Sequence, residues 1–144
     1  MCLASDPGLT FECIATHASI RCVLGRIVAC LHSERLSTDR VSDVQIVLAE
    51  ALNNIVLHSG CAPTDRITVT LKLRAGRLEV EILDCGNPMT EPLPRPCPLR
   101  PETLPVQELP EGRFGWLILH KLTQDIAHRR VGIHNLLSFS ITAQ

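Results

Sequence analysis

The sequence lacks several features that would place it in a specialised class of protein. No apolar run approaches the ~20 residues that a membrane span needs, and the first residues show no basic stretch followed by an apolar block, which argues against a secretory signal. Strong charge is also missing, since the formal net charge is −1 and the isoelectric point is about 6.6. We therefore expect no membrane association and no direct nucleic-acid partner.

Seven cysteines are present, but they lack the spacing of a metal site or a disulfide framework. Their number is odd, no two form a Cys-x-x-Cys pair, and none lies at zinc-ligand spacing from a histidine. We interpret them as thiols of a protein in the reducing cytoplasm. A thiol or metal sensor is the alternative, which stoichiometric zinc in a metal assay would support.

Proline is scarce except in one segment. Eight of the ten prolines lie between Pro88 and Pro110. Because proline has no amide hydrogen and fixes φ, residues 87–111 are predicted to be a long irregular loop and not a helix or an inner strand. The 144 residues, 45% of them apolar, suit one domain with its own core. We predict a single domain over residues 1–144 that contains this loop.

Apolar periodicity predicts the helices and strands around the loop. One helix is predicted across about 18–34 and a second from about 38 to 59, which begins after the N-cap Ser37 and ends at Gly60. The second helix should bury a stripe of Val44, Leu48, Ala51, Leu52 and Ile55.

Alternation of apolar and polar residues predicts the strands. The predicted elements are a strand at 9–15, a hairpin of 67–73 and 78–82 with a turn at Ala75-Gly76, a helix from Phe114 to Leu122, and a hairpin of 126–130 and 136–141 with a turn at Val131-Gly132. This order predicts an α+β fold, a two-layer sandwich in which helices pack on one face of a mostly antiparallel sheet.

The second predicted helix carries a polar stripe away from its apolar one. Glu50, Asn54 and His58 are each four residues apart and therefore share a face. A carboxylate and an amide oxygen placed in this way suit Mg²⁺, and a carboxylate can accept a proton. A plain solvated face is the alternative. For His58 we expect a packed, hydrogen-bonded histidine, and a catalytic histidine is the alternative.

Two further segments carry chemistry of the same kind. Asp84-Cys85-Gly86 closes a strand, where glycine permits a tight turn while the carboxylate points outward, although an ordinary Asx turn would have the same sequence. Gly112 and Gly115 lie at a predicted helix start, where backbone amides and the helix dipole favour an anion. A hinge between loop and helix is the alternative there.

In their order along the chain, these segments resemble the motifs of the Bergerat-fold (GHKL, histidine-kinase-like) ATPase superfamily, and within it those of bacterial anti-sigma-factor serine kinases. Glu50 to His58 is similar to the first box of the family, Asp84 to Gly86 to the second, and Glu111 to Ile118 to the glycine-rich third. Gly132 to Phe139 resembles the final hairpin. The second box has Pro88 where the family commonly has a further glycine.

The resemblance implies a role for each of these residues. Asn54 would ligate the Mg²⁺ that bridges the nucleotide phosphates, and Glu50 would act as general base or orient the attacking hydroxyl. Asp84 would accept a hydrogen bond from the adenine amino group, with Gly86 allowing the base to lie close.

The resemblance also assigns roles to the proline-rich loop and the residues after it. Residues 87–111 would form an ATP lid, and Gly112 and Gly115 would bring backbone amides to the phosphates. Arg113 would contact a phosphate. Arg95 or Arg100 is a further candidate for such a contact, with a solvated arginine as the alternative for each.

At the level of the whole protein, the resemblance implies a protein serine/threonine kinase that uses ATP and Mg²⁺ and is also an anti-sigma factor. It would phosphorylate a STAS-type antagonist protein and sequester a sigma factor, and a homodimer is a further expectation by analogy. The alternative is a nucleotide-binding module that sequesters its partner without phosphotransfer.

Overall fold

The computed structural model describes residues 8–88 and 113–143, with backbone alone for 113–116. Its elements, in chain order, are β1 (Leu9–Ile14), α1 (His17–Ser33), α2 (Thr38–His58), β2 (Arg66–Arg74), β3 (Arg77–Asp84), α3 (Arg113–Leu122), β4 (Gln124–Val131) and β5 (His134–Thr142). This is the order predicted from the sequence, and the predicted α+β class is confirmed.

The five strands form one antiparallel sheet in the order β1-β2-β3-β5-β4. Residues directly opposite each other on neighbouring strands share a face. One row therefore runs across the sheet in register, with four buried residues and the half-buried His128 at its end: Phe11, Val69, Ile82, Leu137 and His128. Two positions further along β3, on the same face, lies a second row made of Asp84, Asn135 and Arg130.

The helices pack their apolar stripes against this face of the sheet. The N-caps Thr16 and Ser37 accept hydrogen bonds from the backbone of Ser19 and Arg40, which fixes where α1 and α2 begin. The predicted stripe of α2 is confirmed, and its buried residues are Val41, Val44, Val47, Leu48, Ala51, Leu52 and Ile55. None of the helices in the described part of the chain is long and apolar enough to cross a bilayer.

The third helix lies against the second. α3 contacts α2, and Leu119 of α3 is fully buried in the core cluster. The predicted helix from Phe114 to Leu122 is confirmed with one additional residue at its start. α3 therefore packs against the helix that carries Glu50 and Asn54.

The two hairpins differ in how well their turns were predicted. The β2–β3 turn is at Ala75-Gly76, as expected, and both residues have positive φ, 51° and 75°, as a type I′ turn requires. The predicted turn at Val131-Gly132 is wrong by one residue. Val131 pairs with His134, so the turn residues are Gly132 and Ile133.

The register of the last hairpin could not be fixed from its glycine. Gly132 has a φ of 62°, and a glycine can supply such an angle at either position of a two-residue turn. β4 is largely exposed, so its residues give no clear alternation that would select one register. The observed register places Arg130 opposite Asn135.

The edge strand β4 begins with a bulge. The pairing with β5 shifts between Gln124 and Ala127, and Asp125 has a φ of 55°. From β3, Nη2 of Arg77 donates to Gln124 Oε1 at 2.7 Å, to Asp125 Oδ2 at 2.8 Å and to Ser140 Oγ at 2.8 Å. These three contacts hold the bulged start of β4 against the sheet.

Candidate functional site

The last residue of β3 is a buried carboxylate. Asp84 continues the buried alternation of its strand and is only 6% exposed. Its Oδ1 accepts hydrogen bonds from the Gly86 backbone amide at 2.8 Å and from Asn135 Nδ2 at 3.0 Å. No hydrogen bond to Oδ2 is found among the described residues, so the protein contacts of this carboxylate fall on Oδ1 alone.

This geometry corrects part of the sequence interpretation of Asp84. The expected outward-pointing carboxylate is wrong, because the side chain lies on the helix-covered face of the sheet. The Asx turn offered as an alternative is present, since Gly86 donates to Asp84 Oδ1. The turn occupies only one of the two oxygens, and therefore the turn and a ligand contact are compatible.

A polar network surrounds Asp84. Asn135 is 3% exposed, and its Nδ2 donates both to Asp84 Oδ1 and to the Asn87 carbonyl, the latter at 2.9 Å. Arg130 Nη1 donates to Asn135 Oδ1 at 3.0 Å and to the Gly86 carbonyl at 2.8 Å. The sequence motifs predict no role for Asn135 or Arg130. Correct placement of the Gly132-Ile133 turn would have put them opposite each other.

The segment after Asp84 is seated on the C-terminal end of α2. The Asn87 amide donates to the Ser59 carbonyl at 2.7 Å. A Cβ added at Gly86 would lie 2.6 Å from Ser59 Cβ and 2.6 Å from Ser59 O. The segment can therefore approach α2 this closely only because Gly86 has no side chain. The role of Gly86 beside a base stays a prediction.

Glu50 and Asn54 lie on α2 outside its buried stripe. Both side chains are half-buried. Nδ2 of Asn54 is fully buried and has no hydrogen-bond partner among the described residues. Burial of such an unsatisfied donor lowers the stability of the fold by about 1–3 kcal/mol. Unsatisfied polar atoms of this kind are found at functional sites, where a ligand completes their hydrogen bonding.

The other polar residues of this helix face have different environments. His58 is exposed, so the expectation of a packed histidine at this position is wrong. Asn53, which follows Glu50 by three positions and therefore neighbours it on the helix surface, is bound by α1: its Oδ1 lies 2.8 Å from Nδ1 of His17. This bond ties the beginning of α1 to the polar face of α2.

Several predicted site residues lie outside the described part of the chain. Gly112 and the lid segment beyond Pro88, with Arg95 and Arg100, are among them. For Arg113 and Gly115 the structure describes the backbone, which forms the first turn of α3. Their proposed phosphate contacts stay predictions.

Burial is the main cause of the pKa shifts of two titratable groups near Asp84. It lowers the pKa of His128, with Asp84 opposing and Arg130 reinforcing the shift, so the neutral imidazole is favoured. Burial raises the pKa of the Cys85 thiol, and Asp65 and Cys61 raise it further. Cys85 is therefore held as a thiol and not as a reactive thiolate. The described residues contain no group of three His, Cys, Asp or Glu side chains that could hold a metal ion.

A magnesium ion held jointly by protein and nucleotide needs fewer protein ligands than such a group provides. The donors of α2 fit this requirement, since a carboxylate and a carboxamide oxygen are the hard ligands that Mg²⁺ prefers. The unpartnered buried Nδ2 of Asn54 is a second sign of fit. Rotation of the carboxamide exchanges its nitrogen and oxygen, and would place the oxygen, a possible magnesium ligand, at this position.

The family model described as the histidine kinase-like ATPase domain matches residues 13–141. The chain belongs to this family. The match extends from β1 to β5 and includes Glu50, Asn54 and Asp84, and it confirms the resemblance seen in the sequence. As a histidine kinase-like ATPase domain, the chain is of a class that binds ATP.

A curated relative is similar over part of the ATPase domain. The Serine-protein kinase RsbW of Bacillus cereus is 32% identical over 89 residues, which is 61% of this chain and 56% of that protein. The match thus spans little more than half the length of the relative.

Solved structures share the fold of the domain. The RsbU and RsbW domains of Rv1364c from Mycobacterium tuberculosis match with a TM-score of 0.61 and 12% identity over 94% of this chain and 32% of that one. The SiaB–SiaC complex from Pseudomonas aeruginosa matches with a TM-score of 0.61 and 17% identity over 92% and 88% of the two chains. A blue-light activated histidine kinase of Erythrobacter litoralis matches with a TM-score of 0.52 and 18% identity over 85% and 41%.

Proposed function

We propose that this chain is an ATP- and Mg²⁺-dependent protein serine/threonine kinase that phosphorylates a STAS-type antagonist protein and sequesters a sigma factor. The observation that carries the proposal is the state of Asp84. It is a buried carboxylate whose two hydrogen bonds within the described residues both fall on Oδ1, and we propose that Oδ2 binds the ligand. The segment that follows it is seated on α2, the helix that carries Glu50 and Asn54.

The base of the nucleotide would be read by Asp84. An ionised carboxylate only accepts hydrogen bonds, so it favours a ligand that presents an N–H group. The 6-amino group of adenine is such a donor, whereas guanine has a carbonyl at this position. Asp84 Oδ2 would therefore favour ATP over GTP.

The phosphates would be bound at α2 and at the start of α3. Asn54 would hold the magnesium ion, which would supply charge neutralisation to the transferring phosphoryl group. Glu50 would accept the proton of the attacking serine or threonine hydroxyl, or orient that hydroxyl. Backbone amides at Gly112 and Gly115, together with Arg113, would bind the phosphate oxygens.

Similarity to other proteins supports a protein substrate. RsbW of Bacillus cereus is named a serine-protein kinase, and SiaB was solved in complex with SiaC. By analogy with these proteins, the partners of this chain would be an antagonist protein and a sigma factor. Homodimer formation and a cytoplasmic location are parts of the same proposal.

A phosphotransfer assay tests the proposal. The protein is incubated with radiolabelled ATP, MgCl₂ and a purified STAS-type antagonist, and ATP binding is measured in parallel by calorimetry. Glu50→Ala should retain ATP binding but lower the transfer rate about 100-fold or more, because general base catalysis contributes on that scale. Glu79→Ala, an exposed residue of β3, is the matched control and should transfer at the normal rate.

Two results would contradict the proposed enzyme. ATP binding without label transfer, unaltered by Glu50→Ala, would identify a nucleotide-binding module that sequesters its partner. No ATP binding by the unmodified protein would remove both functions.

A further inference from the structure

Three polar residues lie side by side across three neighbouring strands at the base-reading end of the site. Asp84 of β3 is directly opposite Asn135 of β5, and Asn135 is directly opposite Arg130 of β4. Directly opposite residues project to the same face of the sheet. The row Asp84–Asn135–Arg130 is therefore a product of strand register and not of a flexible loop.

The donors and acceptors of this row can be arranged in one way only. Arg130 can only donate and an ionised Asp84 can only accept. Asn135, which stands between them, must turn its oxygen to Arg130 and its nitrogen to Asp84, and these are the observed contacts at 3.0 Å each. The second hydrogen of the Asn135 nitrogen is taken by the Asn87 carbonyl at 2.9 Å.

This arrangement fixes the plane of the Asp84 carboxylate. A carboxylate held by one bond can rotate about its terminal torsion, which has a broad energy profile. Here Oδ1 accepts from two directions, Asn135 Nδ2 and the Gly86 amide. Oδ2 is consequently held in one direction. Arg130 also donates to the Gly86 carbonyl at 2.8 Å, so it steadies both groups that bind Oδ1.

We propose that Asn135 and Arg130 are positioning residues for base recognition, which aim Asp84 Oδ2 at the amino group of the purine. This inference rests on the proposed function, in which Asp84 reads adenine. It adds the source of selectivity: the orientation of the carboxylate is set by two residues that need not touch the nucleotide.

Comparison of two nucleotides tests this role. ATP and purine riboside triphosphate, which differ by the 6-amino group, are titrated with Mg²⁺ into the full chain by calorimetry. Asn135→Ala should weaken ATP binding about tenfold, the effect of one well-oriented hydrogen bond, and should leave the affinity for the analogue unchanged. Arg130→Met should act in the same direction to a smaller extent, and Arg130→Lys, which keeps a donor, should lie between Arg130→Met and the unmodified protein.

Controls separate positioning from loss of structure. Ser138→Ala lies on the same strand but on the opposite face from Asn135 and should bind both nucleotides normally. Arg130 is exposed, so its variants should fold and can be used to test the positioning role even if Asn135→Ala does not fold. An equal loss for both nucleotides, or no loss for ATP, would overturn the positioning role.

Failure of the proposed function would give a different pattern. If Asp84→Asn and the unmodified protein each bound ATP and the analogue equally well, Asp84 would not read the base, and that part of the proposed function would fall together with the positioning role. If Asp84→Asn lost the preference for ATP while Asn135→Ala and Arg130→Met kept it, only the inference about positioning would be wrong.

Discussion

Adding one methyl group at Gly86 tests whether the segment after β3 is seated on α2 as described. In Gly86→Ala the new Cβ would lie 2.6 Å from both Cβ and O of Ser59 and 2.7 Å from its Oγ. Two of these three atoms belong to a side chain next to a helix end and one belongs to the backbone, so little can move aside. The segment must therefore shift away from α2.

The expected cost has two parts. Overpacking of a close contact costs about 1–3 kcal/mol. The shift also lengthens the hydrogen bond from the Asn87 amide to the Ser59 carbonyl, now 2.7 Å, which is worth about 1 kcal/mol. Gly86→Ala should therefore lower the free energy of unfolding by about 2–4 kcal/mol.

Urea unfolding followed by far-ultraviolet circular dichroism measures this change, and Gly25→Ala is the matched control. Gly25 lies on the exposed side of α1, and a Cβ there meets nothing within 4 Å. Gly25→Ala should raise the free energy of unfolding by about 0.5–1 kcal/mol, since alanine is the better helix former.

A second variant locates the clash. Ser59→Gly removes Cβ and Oγ but leaves the carbonyl oxygen, so Ser59→Gly combined with Gly86→Ala should be less unstable than the sum of the two single changes. The reasoning is refuted if Gly86→Ala unfolds at the same urea concentration as the unmodified chain while Gly25→Ala is stabilised. The segment after β3 would then not be in contact with Ser59.

Two further predictions concern the metal end of the site and the pH dependence of stability. Asn54→Ala should abolish the magnesium-dependent part of ATP binding measured by calorimetry while the circular dichroism spectrum stays unchanged, because Asn54 lies off the buried stripe of α2; retained affinity for Mg-ATP would show that the ligand is misassigned. Since burial lowers the pKa of His128, the unfolded chain binds a proton more readily than the folded one, and the free energy of unfolding should fall as the pH drops through 6.5, the ordinary histidine value. His128→Gln should reduce this slope in urea titrations at several pH values, and an unchanged slope would exclude His128 as its source.

The sequence predicted best the elements that have a strong apolar pattern. The stripe of α2 repeats at helical spacing and is bounded by Ser37 and Gly60, and all five predicted stripe residues are buried. In β2 and β3 the alternation is regular and the Ala75-Gly76 turn fixes the register. For these elements local pattern and tertiary packing agree.

Contacts between distant parts of the chain could not be predicted in this way. The one-residue error at the last turn would have placed His128, and not Arg130, opposite Asn135, and so it concealed the network around Asp84. The contact between Gly86 and Ser59 joins two segments whose separate sequences carry no sign of it. The motifs predicted candidate site residues, but register and packing determine what those residues contact.

The bulge at the start of β4 has a consequence for self-association. A regular edge strand offers free amides and carbonyls on which another sheet can grow. The irregular backbone at Asp125, fastened by Arg77, interrupts that template on one border of the sheet. On the opposite border, β1 pairs with β2 without a register shift from Leu9 to Ile14, so β1 offers a second copy the longer uninterrupted strand edge.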